Sequence, residues 1–339
     1  MKKIGLIILF FSEILTWSQT SPFNKISIKN DSTSNSYSFI VSGHFYGNRY
    51  NNTGIPCNTL LANLNWINQS ENNFVMCLGD LFMDISNDIP TYKKYLFTPL
   101  KKPLFNAVGN HDLTKNIYQN NFGKTFYSFQ INNDLHIILD TEKDDGNIED
   151  EQLEMLNNAL KTVSQSNINN VFIYSHRTVW ARSYKKLDNL FKDNTQSVFG
   201  NNFKDDVLPL LNQLSKQANV FWFSGSLGDA PASFFYFEND NLHYIATAIR
   251  GLKRDAVLIV NVTNDKVSFE TKSFTNNKVY PLTHYNVEFW DKTPTSPSFN
   301  YRLIPLYIKQ TLLHRYFWIG VIVTLLLVFG LRIFVKRKK

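Results

Sequence analysis

Five short apolar runs, each broken off by Gly, Ser, Asn, His or Asp, constrain this 339-residue chain more than any other feature. They are Ser38-Phe39-Ile40-Val41, Phe74-Val75-Met76-Cys77-Leu78, Leu104-Phe105-Asn106-Ala107-Val108, Val171-Phe172-Ile173-Tyr174 and Val220-Phe221-Trp222-Phe223. Runs of this length bounded by turn residues read as strands buried on both faces. Between the first two, residues 58–68 space Leu60, Leu61, Leu64 and Ile67 helically, and the resulting β-α-β order implies a parallel sheet with right-handed crossovers. Residues 125–130 and 135–139 flank Asn132-Asn133-Asp134, a hairpin signal. Residues 149–163 form a helix with Leu153, Leu156 and Leu160 on one face, and residues 243–248, 256–262 and 266–273 read as a closing antiparallel set. With 43% hydrophobic and 19% charged residues, such a chain can bury a real core.

The ends have a different character. Lys2 and Lys3, the apolar stretch after them and Thr16-Trp17-Ser18 follow the order of a secretory signal peptide, residues 1–18. Residues 19–36 read as a leader, 37–290 as one domain, and 291–305, rich in Thr, Pro and Ser, as a stalk. Residues 306–335 read as a juxtamembrane and transmembrane helix, with Arg332 snorkelling, and Lys336-Arg337-Lys338-Lys339 as a basic cytoplasmic tail. The expected location is a single-pass bacterial inner-membrane protein facing the periplasm. Lys2, Lys3, Arg332 and the four tail residues account for seven of the 35 cations, and Glu13 for one of the 28 anions. The body is therefore nearly neutral, and the net charge of +7 does not argue for nucleic acid as a partner. Cys57 and Cys77 are the only cysteines, and their pairing is left open.

Functional groups of an α/β sheet collect where strands end. Here the ends carry Ser42-Gly43-His44, Gly79-Asp80, Gly109-Asn110-His111-Asp112, Ser175-His176-Arg177 and Ser224-Gly225-Ser226-Leu227-Gly228-Asp229. Each alone is an ordinary turn. Together, in one order, they offer the imidazole, carboxylate and amide oxygen that a divalent cation recruits. Arg177 and Arg250 also follow strand ends, where a guanidinium can hold a phosphate through paired hydrogen bonds. Asp84 is read as support for the Asp80 loop or a solvated acid, and His136, His243 and Phe234-Phe235-Tyr236-Phe237 as packing residues.

This ordered set resembles the motifs of the calcineurin-like metallophosphoesterases over roughly residues 37–275. The resemblance implies two facing β-sheets flanked by helices, an α/β/β/α arrangement, and hydrolysis of phosphoesters with two bridged metal ions. By position it implies that Asp80 bridges the metals, that His44 serves the first and that Asn110 and His176 serve the second. It further implies that His111 assists the leaving oxygen and that Asp112 orients His111. Three of the seven ligand positions depart from the pattern: Ser42 replaces an Asp, and Ser226 and Gly228 replace histidines. Asp229 is a candidate substitute ligand.

Two functions follow as expectations. One is a phosphoester hydrolase acting outside the cytoplasm with one divalent ion (Mn, Zn or Fe) or an altered pair. The other is a metal-free, non-catalytic relative that serves as a membrane-anchored binding or scaffold protein. The partners expected are a phosphorylated small molecule, a glycan or a lipid headgroup, together with the membrane through the C-terminal helix.

Overall fold

The computed structural model describes residues 19–29, 36–191, 194, 201–228, 230–293, 304–313 and 315–337. The signal-peptide segment, Asp229 and most of the stalk lie outside them. The strands, in chain order, are β1 (Ser36–Ser42), β2 (Phe74–Cys77), β3 (Leu104–Asn106), β4 (Tyr127–Ile131), β5 (Asp134–Ile138), β6 (Asn170–Ser175), β7 (Asn219–Ser224), β8 (Phe234–Asn239), β9 (Leu242–Thr247), β10 (Ala256–Thr263) and β11 (Lys266–Ser273).

They form two mixed sheets. The first runs β11-β10-β1-β2-β3 and the second β4-β5-β6-β7-β9-β8. β1, β2 and β3 are parallel, as are β5, β6, β7 and β9. Alternation along the strands explains why the apolar runs are continuous. Phe39, Val41, Phe172 and Tyr174 point into the core between the sheets. Ile40 and Val75 meet Leu60, Ile67 and Ile85 from helices on the outer face of the first sheet. Val171 and Ile173 meet Leu156 and Val163 of the helix Asp150–Gln165 on the outer face of the second. Both faces are thus covered at the central strands, which are nearly all apolar, whereas β4 and β11 at the sheet edges carry exposed polar positions.

The structure revises several expectations. The helix read at 58–68 is two, Asn58–Ala62 and Leu64–Gln69, broken where Asn63 turns its amide to the carbonyls of Thr59 (2.8 Å) and Phe274 (3.0 Å). The closing antiparallel set is divided between the sheets: β9 lies parallel to β7, whereas β10 and β11 extend the first sheet antiparallel to β1. Phe234-Phe235-Tyr236-Phe237 is a strand as well as core. Residues 19–29, read as a leader, pack on the domain, with Phe23 and Ile28 buried and the Ser21 hydroxyl donating to Leu104 O at 2.7 Å. Both cysteines are free and buried.

The transmembrane helix and the single-pass inner-membrane location are corrected: among the described residues, no helix is long and apolar enough to cross a membrane. Helix Arg315–Arg337 has only sixteen uncharged residues between Arg315 and Arg332. At the helical rise these reach ~24 Å, short of a hydrocarbon core of ~30 Å.

Candidate metal centre

The parallel strands of both sheets end at one edge, and their loops are stitched together there. His44 N donates to Gly79 O at 3.0 Å, Gly43 N to Thr247 O at 2.9 Å, and Ser226 N to His176 O at 2.9 Å. This convergence requires glycine. A Cβ at Gly225 would lie 1.9 Å from Leu78 O, and one at Gly79 would lie 2.6 Å from both Ala107 O and His176 Nδ1. The Gly-Asp and Ser-Gly-Ser patterns therefore reflect close approach between loops as well as turning.

His44, Asp80 and His176 meet at this seam, all buried, with one ligand atom from each within 4.8 Å of the others. Asp80 Oδ2 lies 3.2 Å from His44 Nδ1, and Oδ1 lies 3.6 Å from His176 Nε2. Burial first, and then the Arg250 guanidinium, push the His44 imidazole well below its usual range, so it is neutral. Its Nδ1 is buried and makes no hydrogen bond, despite its nearness to Asp80. The pair is therefore a neutral imidazole facing a carboxylate, not a salt bridge. His176 Nδ1 lies 2.8 Å from Leu78 O; donating there leaves the Nε2 lone pair for the site, the usual way a backbone carbonyl orients a ligating histidine.

These residues fit one divalent cation. Two donors each about 2.1 Å from a shared ion stand about 3.0–3.4 Å apart, close to the separations around Asp80. The orphaned Nδ1 of His44 is the atom such an ion would satisfy. A second ion fits poorly. The Ser42 hydroxyl makes a weak contact to its neighbour Gly43 O at 3.5 Å, and Gly228, at φ 62°, has no side chain to offer. The Ser226 hydroxyl lies 3.4 Å from Asn194 Oδ1, while Asn194 Nδ2 donates to Ser226 O at 2.8 Å.

Asn110, His111 and Asp112 form a 3-10 turn after β3. His111 N donates to Asp80 Oδ1 at 3.3 Å, and its ring Nδ1 lies 2.8 Å from Met83 O. The Asp112 carboxylate is directed elsewhere than to the His111 ring. Its Oδ1 accepts from Phe82 N at 3.0 Å and its Oδ2 from Gly109 N at 2.9 Å and Asn106 Nδ2 at 3.0 Å. Burial, and then the charge of Asp80, push this carboxyl up to about 6. Asp112 thus ties the Gly79–Asp80 and Gly109–Asn110 loops together, while Met83 O holds the His111 ring. Sequence reasoning missed Asn106 and Met83 because neither carries a motif; Asn106 also accepts from Gly79 N at 3.1 Å.

The two arginines differ. Arg177 bonds Glu142 Oε2 through Nε (3.0 Å) and Nη2 (2.8 Å), so its guanidinium is engaged with a carboxylate. Arg250 brings Nη2 to 3.5 Å from His44 Nε2. Asp84 caps the helix Ile85–Tyr92 by accepting from Ser86 N. Among the described residues, His44, Asp80 and His176 are the only such metal-ligand cluster.

The calcineurin-like phosphoesterase family model matches residues 53–193. Among solved structures, the chain is similar to a purple acid phosphatase from yellow lupin (Lupinus luteus) seeds, with a TM-score of 0.50 and 12% identity over 73% of this chain. The chain spans about half of that protein, 53% of its length, and at this identity the likeness concerns the fold alone. A Thermotoga maritima protein solved by NMR aligns over 70% of this chain and 99% of its own at 10% identity, but its TM-score of 0.32 is too low to support a shared fold. No curated protein matches the sequence. The resemblance read from the sequence is thereby borne out: this chain carries the calcineurin-like phosphoesterase pattern over residues 53–193, the stretch that contains Asp80, Asn110, His111 and His176.

Proposed function

We propose that the chain hydrolyses a phosphoester with a single divalent ion held by Asp80, His176, His44 and Asn110. The observation that carries the reading is the buried meeting of His44 Nδ1, Asp80 and His176 Nε2, with Nδ1 left without a hydrogen bond. When bound, the ion would polarise a phosphoryl oxygen and lower the pKa of a water at the site. Asp80 would hold it with one oxygen toward each histidine, and His176 would be kept in register by Leu78 O. His111, with Nδ1–H held by Met83 O, would act from Nε2, and only as the imidazolium would it offer a proton there to the departing oxygen. The family match supports phosphoester chemistry of this kind, and the purple acid phosphatase likeness supports the fold that would carry it. Manganese, zinc and iron all suit a site of mixed imidazole and oxygen donors.

The experiment is elemental analysis of the purified chain after equilibration with manganese or zinc, followed by turnover of aryl phosphate mono- and diesters. One ion per chain and metal-dependent turnover are expected. His111→Ala should retain the ion and lose about 10²- to 10⁴-fold in kcat. No ion, or turnover indifferent to His111→Ala, overturns the reading. A non-catalytic binding protein is the second reading. It is favoured by the packing of Ser226 and Gly228 against Asn194 where ligands would stand, and it expects phosphate binding without turnover.

A further inference from the structure

The donors at the seam suffice for one cation, while a phosphoryl group carries more negative charge than one partly neutralised ion can offset. The far side of His44 from Asp80 therefore matters. There, at the ring nitrogen opposite the one that faces Asp80, Arg250 Nη2 stands 3.5 Å from His44 Nε2. The backbone of Arg250 is held from both sides. Its N–H donates to the buried Asp255 Oδ1 at 2.9 Å, and its carbonyl accepts from Asn48 Nδ2 at 2.9 Å. Asp255 is itself fixed by Gly251 N at 2.7 Å and by the Thr59 hydroxyl at 2.6 Å. The guanidinium is not neutralised: among the described residues, Arg250 has no carboxylate within ion-pair distance, and its Nε is buried without a hydrogen-bond partner. A buried donor left unmade is costly, and this one lies beside a cluster built for a cation that carries a phosphoryl ligand.

We propose that Arg250 supplies, as a fixed guanidinium, the second positive charge that another metal ion would supply, and that its Nε–H and Nη2–H take a phosphoryl oxygen of the substrate at the His44 side of the seam. This rests on the single-ion phosphoester reading above and deepens it. A guanidinium is suited to this role because it is always charged and its donors form a planar fork that matches phosphate oxygens. It also accounts for the single ion. A further ion on the Nε2 side of His44 would meet the guanidinium, whose Nη2 stands 3.5 Å from that nitrogen.

The test uses the full chain and inorganic phosphate as the probe, titrated calorimetrically into the manganese-loaded protein. Arg250→Gln and Arg250→Lys are compared with wild type, with elemental analysis and melting temperature recorded for each. Wild type should hold one ion per chain. Arg250→Gln should keep that ion and bind phosphate about 10- to 100-fold more weakly. Arg250→Lys, with the charge but not the fork, should fall between the two. If Arg250→Gln fails to fold, the Arg250→Lys loss decides the matter. Unchanged phosphate affinity in the variants, or two ions per wild-type chain, overturns the role of Arg250 and leaves the hydrolase reading standing. A wild type that takes up neither metal nor phosphate overturns both.

Discussion

Two of the residues at the seam, His44 (φ 56°) and Asp80 (φ 55°), hold a left-handed backbone that non-glycine residues rarely adopt. Such strain costs on the order of 1–3 kcal/mol per residue and persists where the surroundings over-determine it. Here it accompanies the meeting of both side chains with His176 at the seam. Asp80 is the costlier of the two without a cation, because its buried carboxyl then faces the neutral His44 imidazole with no counter-charge beside it. Asp80→Asn keeps a residue tolerant of this conformation and removes the charge. In chelator, the variant should match wild type or exceed it by up to about 2 kcal/mol. With manganese at a hundred times its Kd, wild type should gain about 2.7 kcal/mol while the variant gains nothing, which inverts the order. Thermal melts of both proteins with and without metal check this, and equal metal-induced shifts would place the ion elsewhere. Asp80 and His176 were legible as ligand candidates because each follows an apolar run within one or two residues. Arg250 was legible only as a cation near a strand end. Its pairing with His44, 206 positions away, exists only in the folded chain.

At the level of elements, the centre depends on loops from two sheets approaching within backbone contact. Gly225, following β7, is the tightest of these approaches, since a side chain there would lie 1.9 Å from the carbonyl of Leu78 at the end of β2. Leu78 O is also the acceptor that orients His176. Gly225→Ala should therefore do two things together. It should destabilise the fold by about 3 kcal/mol or more, as forced overpacking does, and it should weaken metal uptake through the displaced carbonyl. Denaturant unfolding and elemental analysis of the same preparation test the pair; stability lost with metal binding intact would sever the proposed link. The strands themselves were largely readable, since a run buried on both faces leaves a continuous apolar signature. β8 was read only as core, because four successive aromatics fit either description. The assignment of β9 and β10 to different sheets was not readable at all, as both are simply apolar and differ in which neighbour they pair with.

Across the molecule, the sheets are joined through a buried polar chain as well as apolar contact. Tyr37 of the first sheet donates to Asp134 Oδ2 of the second at 2.8 Å and lies 3.0 Å from His136 Nε2. Because the Tyr37 proton goes to Asp134, Nε2 is the donor and Nδ1 accepts from the Tyr174 hydroxyl at 2.9 Å. Burial pushes His136 down to about 3 and Asp134 up to about 6. The signs oppose. As pH falls below 6.5 the unfolded chain takes up a proton that folded His136 refuses, which lowers stability by about 1.4 kcal/mol per pH unit until about pH 3. Between about 6 and the ordinary carboxyl value, the fold instead binds the extra proton on Asp134, which offsets that loss. His136→Gln isolates the first effect. Its stability deficit at neutral pH should shrink by about 1.4 kcal/mol for each unit of acidification below 6.5, measured by urea unfolding at several pH values. A deficit constant with pH would mean that the histidine is charged in the fold. The C-terminal helix belongs to this scale too: its exposed Leu325, Leu326 and Phe329 lie outside the cores that hold the domain.

Contiguous residues were enough to establish the strand runs, their parallel β-α-β order and the set of polar strand ends, because each has a local physical meaning along the chain, whereas the gaps at Ser42, Ser226 and Gly228 showed only against the family pattern the chain resembles. Which side chains share the seam was decided by the closing of the sheets. That closure turned Asp112 to the loops, engaged Arg177 with Glu142, set Arg250 against His44 and left His44 Nδ1 without a hydrogen bond. These contacts depend on the register of two sheets meeting face to face, and residues brought within a few ångströms in this way carry no mark of it along the chain.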